Sequence, residues 1–186
     1  MSASILTIGY GSRSTGDFFR ILERERVQFL VDVRSNPVSR FNPDFSAEQL
    51  SEKLRAIGIR YVSMGDMLGG RPEDPSCYEN GHVIYSRVQE KSFFRSGIER
   101  LLSASAQGIR VCLLCSEIRP EACHRSKMIG VALTQQGVPV VHLGAHGEHL
   151  SQVEVMARLQ TAQTELFDEG LHSRKAYRSA KKAFGS

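Results

Sequence analysis

Short apolar runs alternate with helix-periodic segments along this chain. Ser4–Ile8 is a β-rich run stopped by Gly9-Tyr10-Gly11, and Phe29–Val33, Ile59–Ser63, Arg110–Cys115 and Val138–Leu143 are four further strand candidates. These runs are continuous rather than strictly alternating, as expected of strands covered on both faces. Between them, Ser14 or Thr15 caps a helix to about Arg26, with Phe18, Ile21 and Leu22 on one face. Ser46 with Gln49 predicts a capping box on a helix through Ile57, closed by Gly58. Phe94, Ile98, Leu101 and Leu102 recur at helical spacing over Ser92–Ala106, which Gly108 ends. Pro120 opens another helix and Gly137 closes it, and Leu150–Phe167 is the last. Met64–His82 reads as irregular.

Strand–helix alternation places the chain in the α/β class, as one domain over 1–170. A mostly parallel sheet of about five strands, covered by helices in Rossmann-like layering, is expected. Strand order cannot be read from the pattern. In such folds ligands bind beyond the carboxyl ends of the strands, where that order switches.

Composition narrows the class further. With 186 residues, 41% hydrophobic and 24% charged, the chain is of globular type. No apolar run approaches the roughly 18 residues of a membrane span. No basic region precedes a long apolar stretch, so no export signal is expected. Four cysteines, Cys77, Cys112, Cys115 and Cys123, are few for the length; reduced thiols and a cytoplasmic setting follow. The net charge of +4 is concentrated in the tail, residues 171–186, which carries five basic residues and no acid; the rest has 19 basic against 20 acidic residues. That tail reads as a solvated, flexible terminus, with nucleic-acid phosphate binding as the alternative.

Chemistry gathers where strands end. Gly9-Tyr10-Gly11-Ser12-Arg13, Asp32-Val33-Arg34, Gly69-Gly70-Arg71 and Cys115-Ser116-Glu117 would share one rim. Arg13, Arg34, Arg71, Arg119 and Arg125 on that rim suggest an anionic ligand, because guanidinium matches phosphate or carboxylate bidentately. Pairing with Asp32, Asp66 or Glu117 as structural ions is the alternative for any one of them. The densest segment is Cys115–Arg125, with Cys123 and His124 expected in the first turns of a helix. Three readings stay open for it. Cys115 or Cys123 is a reactive thiol, with His124 and Glu117 moving protons. Alternatively Cys115, Cys123 and His124 ligate a divalent metal, though without the paired spacing of a structural zinc site. In the third, both cysteines are core residues. Cys112 reads as core. His142, at a strand end, would face the rim, whereas His146 and His149 read as loop histidines.

The same residues carry a resemblance to the family of domain of unknown function (DUF) 488. It runs from Thr7-Ile8-Gly9 with Arg13-Ser14 through Asp32-Val33-Arg34, Pro37, Ser39, Arg40 and Leu68-Gly69-Gly70-Arg71. It continues in Cys115-x-Glu117-x-x-Pro120-x-x-Cys123-His124-Arg125-Ser126 and Val141-His142. Tyr10 stands where many members have histidine. The resemblance implies a compact α/β domain and a shared site, without naming a reaction. A weaker likeness to rhodanese-type sulfurtransferases rests on the Asp-Val-Arg strand end and on a cysteine opening a strand–helix loop. Here that loop lacks glycine, is one residue short before Arg119, and loses a donor at Pro120.

The expected activity is an enzyme binding a phosphate-bearing small molecule or nucleic acid. Cys115, Glu117, Cys123 and His124 would do the chemistry. Tyr10, Arg13, Asp32, Arg34, Arg40, Gly69, Gly70, Arg71, Arg125 and Ser126 would line the anion site. Sulfur transfer and a non-catalytic nucleic-acid- or metal-binding module are the alternatives. No membrane partner is expected.

Overall fold

A computed structural model describes residues 3–163, 171–173 and 175–177. Its centre is a six-stranded sheet in the order β3-β2-β6-β1-β7-β8. The strands are β1 (Ile5–Gly9), β2 (Phe29–Asp32), β3 (Arg60–Ser63), β6 (Val111–Cys115), β7 (Val140–Leu143) and β8 (His149–Ser151). All neighbours run parallel except β7 and β8, so the expected five parallel strands gain one antiparallel edge strand. A separate hairpin, β4 (Tyr78–Glu79) with β5 (His82–Val83), occupies part of the segment read as irregular. No helix among the described residues is long and apolar enough to cross a membrane.

Side-chain alternation along the central strands splits the core in two. Leu6, Ile8, Leu30, Cys112 and Leu114 face α1 (Thr15–Arg24) and α2 (Ala47–Ala56), against Phe18, Ile21, Leu22, Leu50 and Leu54. Ile5, Val31, Val111 and Leu113 face the other way. There they meet α3 (Gly65–Leu68), α4 (Tyr85–Gln89), α5 (Ser92–Ala106) and α6 (Val131–Gln135) through Leu68, Val88, Phe94, Ile98, Leu101 and Leu133. Cys112 is thus the core residue expected.

The chain steps from β1 outward to β2 and β3, returns through β6 between β2 and β1, then crosses to β7. This reversal puts the end of β6, at Cys115, between the segments that follow β1 and β2. It is the switch point that the strand pattern alone did not locate.

Helix ends follow the sequence unevenly. Ser14 caps α1 by accepting the Asp17 N–H. Ser46 precedes α2 but forms no side-chain cap; its Oγ accepts the Ser39 N–H at 3.1 Å instead. Gly58 closes that helix with φ +76°, where an L side chain would be strained. Leu150 lies in β8, so the last helix, α7 (Gln152–Gln163), starts two residues later than expected; its expected end at Phe167 lies outside the described residues.

The largest departure is the helix expected from Pro120. It is broken into a 3₁₀ turn, Pro120–Ala122, a π-helical segment, Arg125–Gly130, and only then α6. Two side chains occupy carbonyls of the wide turn: Gln152 Nε2 donates to Ser126 O at 2.9 Å and Gln89 Nε2 to Met128 O at 3.0 Å. Those carbonyls find partners outside their own helix, and the wider winding persists.

Of the tail, residues 171–173 and 175–177 are described and lie along β5. Ser173 N–H donates to Val83 O at 3.0 Å, and Ile84 bridges His172 in antiparallel sense. The remainder of the segment read as flexible lies outside the described residues.

Candidate functional site

Cys115 ends β6, and Cys123 and His124 enter the π-helical segment, so strand end and helix start bring three ligand-type atoms together. Cys115 Sγ, Cys123 Sγ and a His124 ring nitrogen all lie within 4.8 Å of one another and are buried. His124 Nδ1 is 3.8 Å from Cys115 Sγ and 3.7 Å from Cys123 Sγ. Its Nε2 lies 3.0 Å from Val33 O, a carbonyl that only an N–H can face. In the neutral ring this assigns the tautomer, with Nε2 protonated and the Nδ1 lone pair aimed between the two sulfurs. Gly70 backs the ring: a Cβ there would sit 2.8 Å from Nδ1.

Glu117 completes the group. The Cys115 thiol donates to Glu117 Oε2 at 2.9 Å. Hydrogen bonding to Cys123 and burial push the Cys115 thiol well above its ordinary range. Burial also pushes the Glu117 carboxyl up, but the Cys115 hydrogen bond and nearby His124 outweigh it and hold the group below its usual value. For His124 burial acts downward; Cys115, Glu117 and the Val33 carbonyl outweigh it and raise the imidazole.

The cluster lies at a cavity of about 240 Å³. Cys115, Glu117, Cys123 and His124 line it, with Arg34, Gly70 and Arg71. Arg34 is anchored by Asp32, with Nε 2.8 Å from Oδ1 and Nη2 2.5 Å from Oδ2, and Tyr61 Oη also donates to Asp32, at 2.7 Å. Burial lowers the Arg34 guanidinium, but Asp32 outweighs it and raises the group. Its remaining nitrogen, Nη1, is buried with no hydrogen-bond partner among the described residues. Arg71 stands over the Tyr177 ring, 4.1 Å from its centroid, and its backbone N–H donates to Ser35 Oγ.

The other expected rim residues do other work. Arg13 is buried and spends its guanidinium on the carbonyls of Gly9, Leu143, Gly144 and Ala145, clamping β1 to the end of β7. Arg125 is fully buried and holds the carbonyls of Glu117 and Ile118. Both hold chain rather than ligand, because several carbonyls converge at those positions. The Glu117 carbonyl also presses on Gly9, where no side chain would fit. Ser126 Oγ donates to Pro120 O and Cys123 O, fixing the turn that carries Cys123. Tyr10 stacks on Phe45 at 4.5 Å and lies under the Arg34 guanidinium, but does not itself line the cavity. Gly69 lies against the Gly65 carbonyl and Ser35 Oγ. Arg40 is exposed away from the cavity, and Arg119, also exposed, pairs with Glu121. His142 is not on the rim. It is buried in the sheet, accepting from Thr7 Oγ1 at 2.7 Å and donating to Gln152 Oε1 at 2.7 Å.

Sequence reasoning missed Tyr85 and, from the tail, Ser173, Lys175 and Tyr177, which also line the cavity. The basic tail was visible as charge, but nothing in its composition says where it lies.

No curated protein and no solved structure matches the chain. The family model described as "Domain of unknown function DUF488" matches residues 14–131, well over half of the chain. That span contains Asp32, Arg34, Gly70, Arg71 and the whole Cys115–Ser126 segment. The chain that builds this cysteine–histidine cluster at its sheet switch point therefore belongs to the DUF488 family.

Proposed function

We propose that this protein is an enzyme of metal-assisted hydrolysis whose substrate carries a phosphate or similar anionic group. The observation that carries the reading is the convergence of Cys115 Sγ, Cys123 Sγ and His124 Nδ1, with the imidazole held by Val33 O. Donors around tetrahedral zinc, at about 2.3 Å for sulfur and 2.0–2.1 Å for nitrogen, lie roughly 3.6 Å apart. The sulfur–nitrogen separations of 3.7 and 3.8 Å need close by only a few tenths of an ångström. Two cysteines and a histidine make the three-ligand set of a catalytic zinc, which leaves a position for water. An ion held there would supply Lewis acidity and a water of lowered pKa.

The chain's own residues account for the rest. Cys115 and Cys123 lose their protons on loading, so binding strengthens as pH rises. The Arg125 N–H, 3.5 Å from Cys123 Sγ, favours that thiolate. Glu117 is placed to take a proton from attacking water and return it to the leaving group, as the new bond to oxygen forms and the leaving-group bond breaks. Arg34, through its unpartnered Nη1, and Arg71 would hold the anion.

The thiol-nucleophile and sulfur-transfer readings are less well supported. Cys115 is pushed away from the thiolate form, and no backbone N–H among the described residues donates to its sulfur. Metal analysis of protein purified without a histidine tag tests the proposal. A stoichiometric transition metal is expected, or cobalt(II) uptake with thiolate-to-cobalt charge-transfer absorption, both lost in Cys115→Ser and Cys123→Ser. Protein that holds and takes up no zinc, iron or cobalt, while both thiols alkylate readily at neutral pH, would overturn it in favour of a thiol mechanism.

A further inference from the structure

Residues 171–173 and 175–177 lie outside the residues matched by the family, yet Ser173, Lys175 and Tyr177 border the same cavity. They dock along the β4–β5 hairpin through backbone hydrogen bonds and one isolated antiparallel bridge, Ile84 to His172. Tyr85 N–H donates to Leu171 O at 3.3 Å, Ser173 N–H to Val83 O at 3.0 Å, and Tyr177 N–H to Gly81 O at 2.6 Å. Ser173, 2% exposed, fixes the register. Its Oγ accepts the Val83 N–H at 2.9 Å and donates to Lys175 O at 2.9 Å, while its carbonyl faces His82 Nδ1 at 2.9 Å. A solvated tail has no use for such bonds. Their effect is to hold Lys175 and Tyr177 at the cavity, with the Tyr177 ring beneath the Arg71 guanidinium.

Three observations give these side chains a ligand. Arg34 Nη1 is buried without a partner among the described residues, and an unpaired guanidinium nitrogen beside a cavity is best satisfied by an anionic oxygen. Lys175, an exposed residue, lines the same cavity and makes no ion pair among the described residues. Arg71 is spread over an aromatic face, which leaves its N–H edges free to bind while the plane is held.

We propose that residues 171–173 and 175–177 form a strap that completes the anion site, with Lys175 and Arg71 binding the phosphate group beside Arg34, Tyr177 positioning Arg71, and Ser173 positioning the strap. This rests on the anionic-ligand half of the reading above and not on the metal. The strap would set which anion is accepted, while Cys115, Cys123 and His124 supply the chemistry.

Equilibrium dialysis of inorganic phosphate and pyrophosphate against the full chain tests it, with bound metal measured on the same samples. Lys175→Met is expected to weaken binding about tenfold, the share of one charge-assisted hydrogen bond. Tyr177→Ala should weaken it less, Tyr177→Phe should leave it intact, and Ser173→Ala should reproduce part of the Lys175 loss with the Lys175 side chain present. Metal content should not move in any of them. Affinities in Lys175→Met and Ser173→Ala equal to the wild type would overturn the strap, as would a wild type that binds neither anion saturably. Loss of metal without loss of these differences would overturn the metal reading and leave the strap standing.

Discussion

Asp32 and Arg34 are 0% and 4% exposed at their side chains, so neither charge has water to fall back on. Removing one leaves the other buried and unpaired, which costs about 3–5 kcal/mol. Asp32→Asn is expected to lower the urea midpoint accordingly, and a shift within error of zero would show that the pair is not buried as described. Gly70 sets a finer condition. Gly70→Ala puts a methyl 2.8 Å from His124 Nδ1, and the imidazole must give way. The expected outcome is native far-UV circular dichroism with metal uptake lost, checked by cobalt absorption. At this scale the sequence was a good guide to residue type and a poor one to role. Cys115, Glu117, Cys123 and His124 meet because a strand end and the next helix start are close in any α/β sheet. Five arginines looked alike, yet only Arg34 and Arg71 line the cavity. Whether a guanidinium meets a ligand or a carbonyl depends on loop paths that leave no periodic trace.

The strands and long helices were legible as elements because their burial imposes a period on the sequence. The π-helical segment was not. Arg125–Gly130 is buried all round, so no apolar stripe records how many residues make a turn. Its width is held from outside by Gln89 and Gln152, residues far away in sequence. Gln152 also accepts from His142, so Gln152→Leu strands two buried groups, the Ser126 carbonyl and the His142 Nε2–H. A loss of about 2–4 kcal/mol is expected by chemical denaturation. Gln89→Leu removes one such bond and should cost less. Equal losses in the two variants would argue against a shared polar network around Gln152.

Across the whole molecule, β1, β7, α7 and the π-helical segment are joined through Thr7, His142, Gln152 and Ser126 O. Burial pushes the His142 imidazole down to about 4, against a smaller upward pull from Gln152. Between the ordinary value of about 6.5 and that folded value, the unfolded chain takes up a proton that the folded chain refuses. Stability contributed by neutral His142 is therefore complete above about pH 6.5, falls through this window, and is gone below it, a difference of up to about 3 kcal/mol. Urea titrations at neutral pH and near pH 4 should show a smaller acid loss in His142→Gln than in the wild type; equal losses would exclude His142 as their source. The strap was the least legible feature at this scale, since its docking depends on a hairpin too short to advertise itself. A chain one residue shorter between Ser126 and Gly130 could wind as ordinary α-helix, more regular by every local measure. With α6 fixed in the core, His124 would then swing about 100° around the axis, away from both sulfurs. A single-codon insertion or deletion here would thus separate the site from its absence without altering any of its residues, a change that substitution scans never sample.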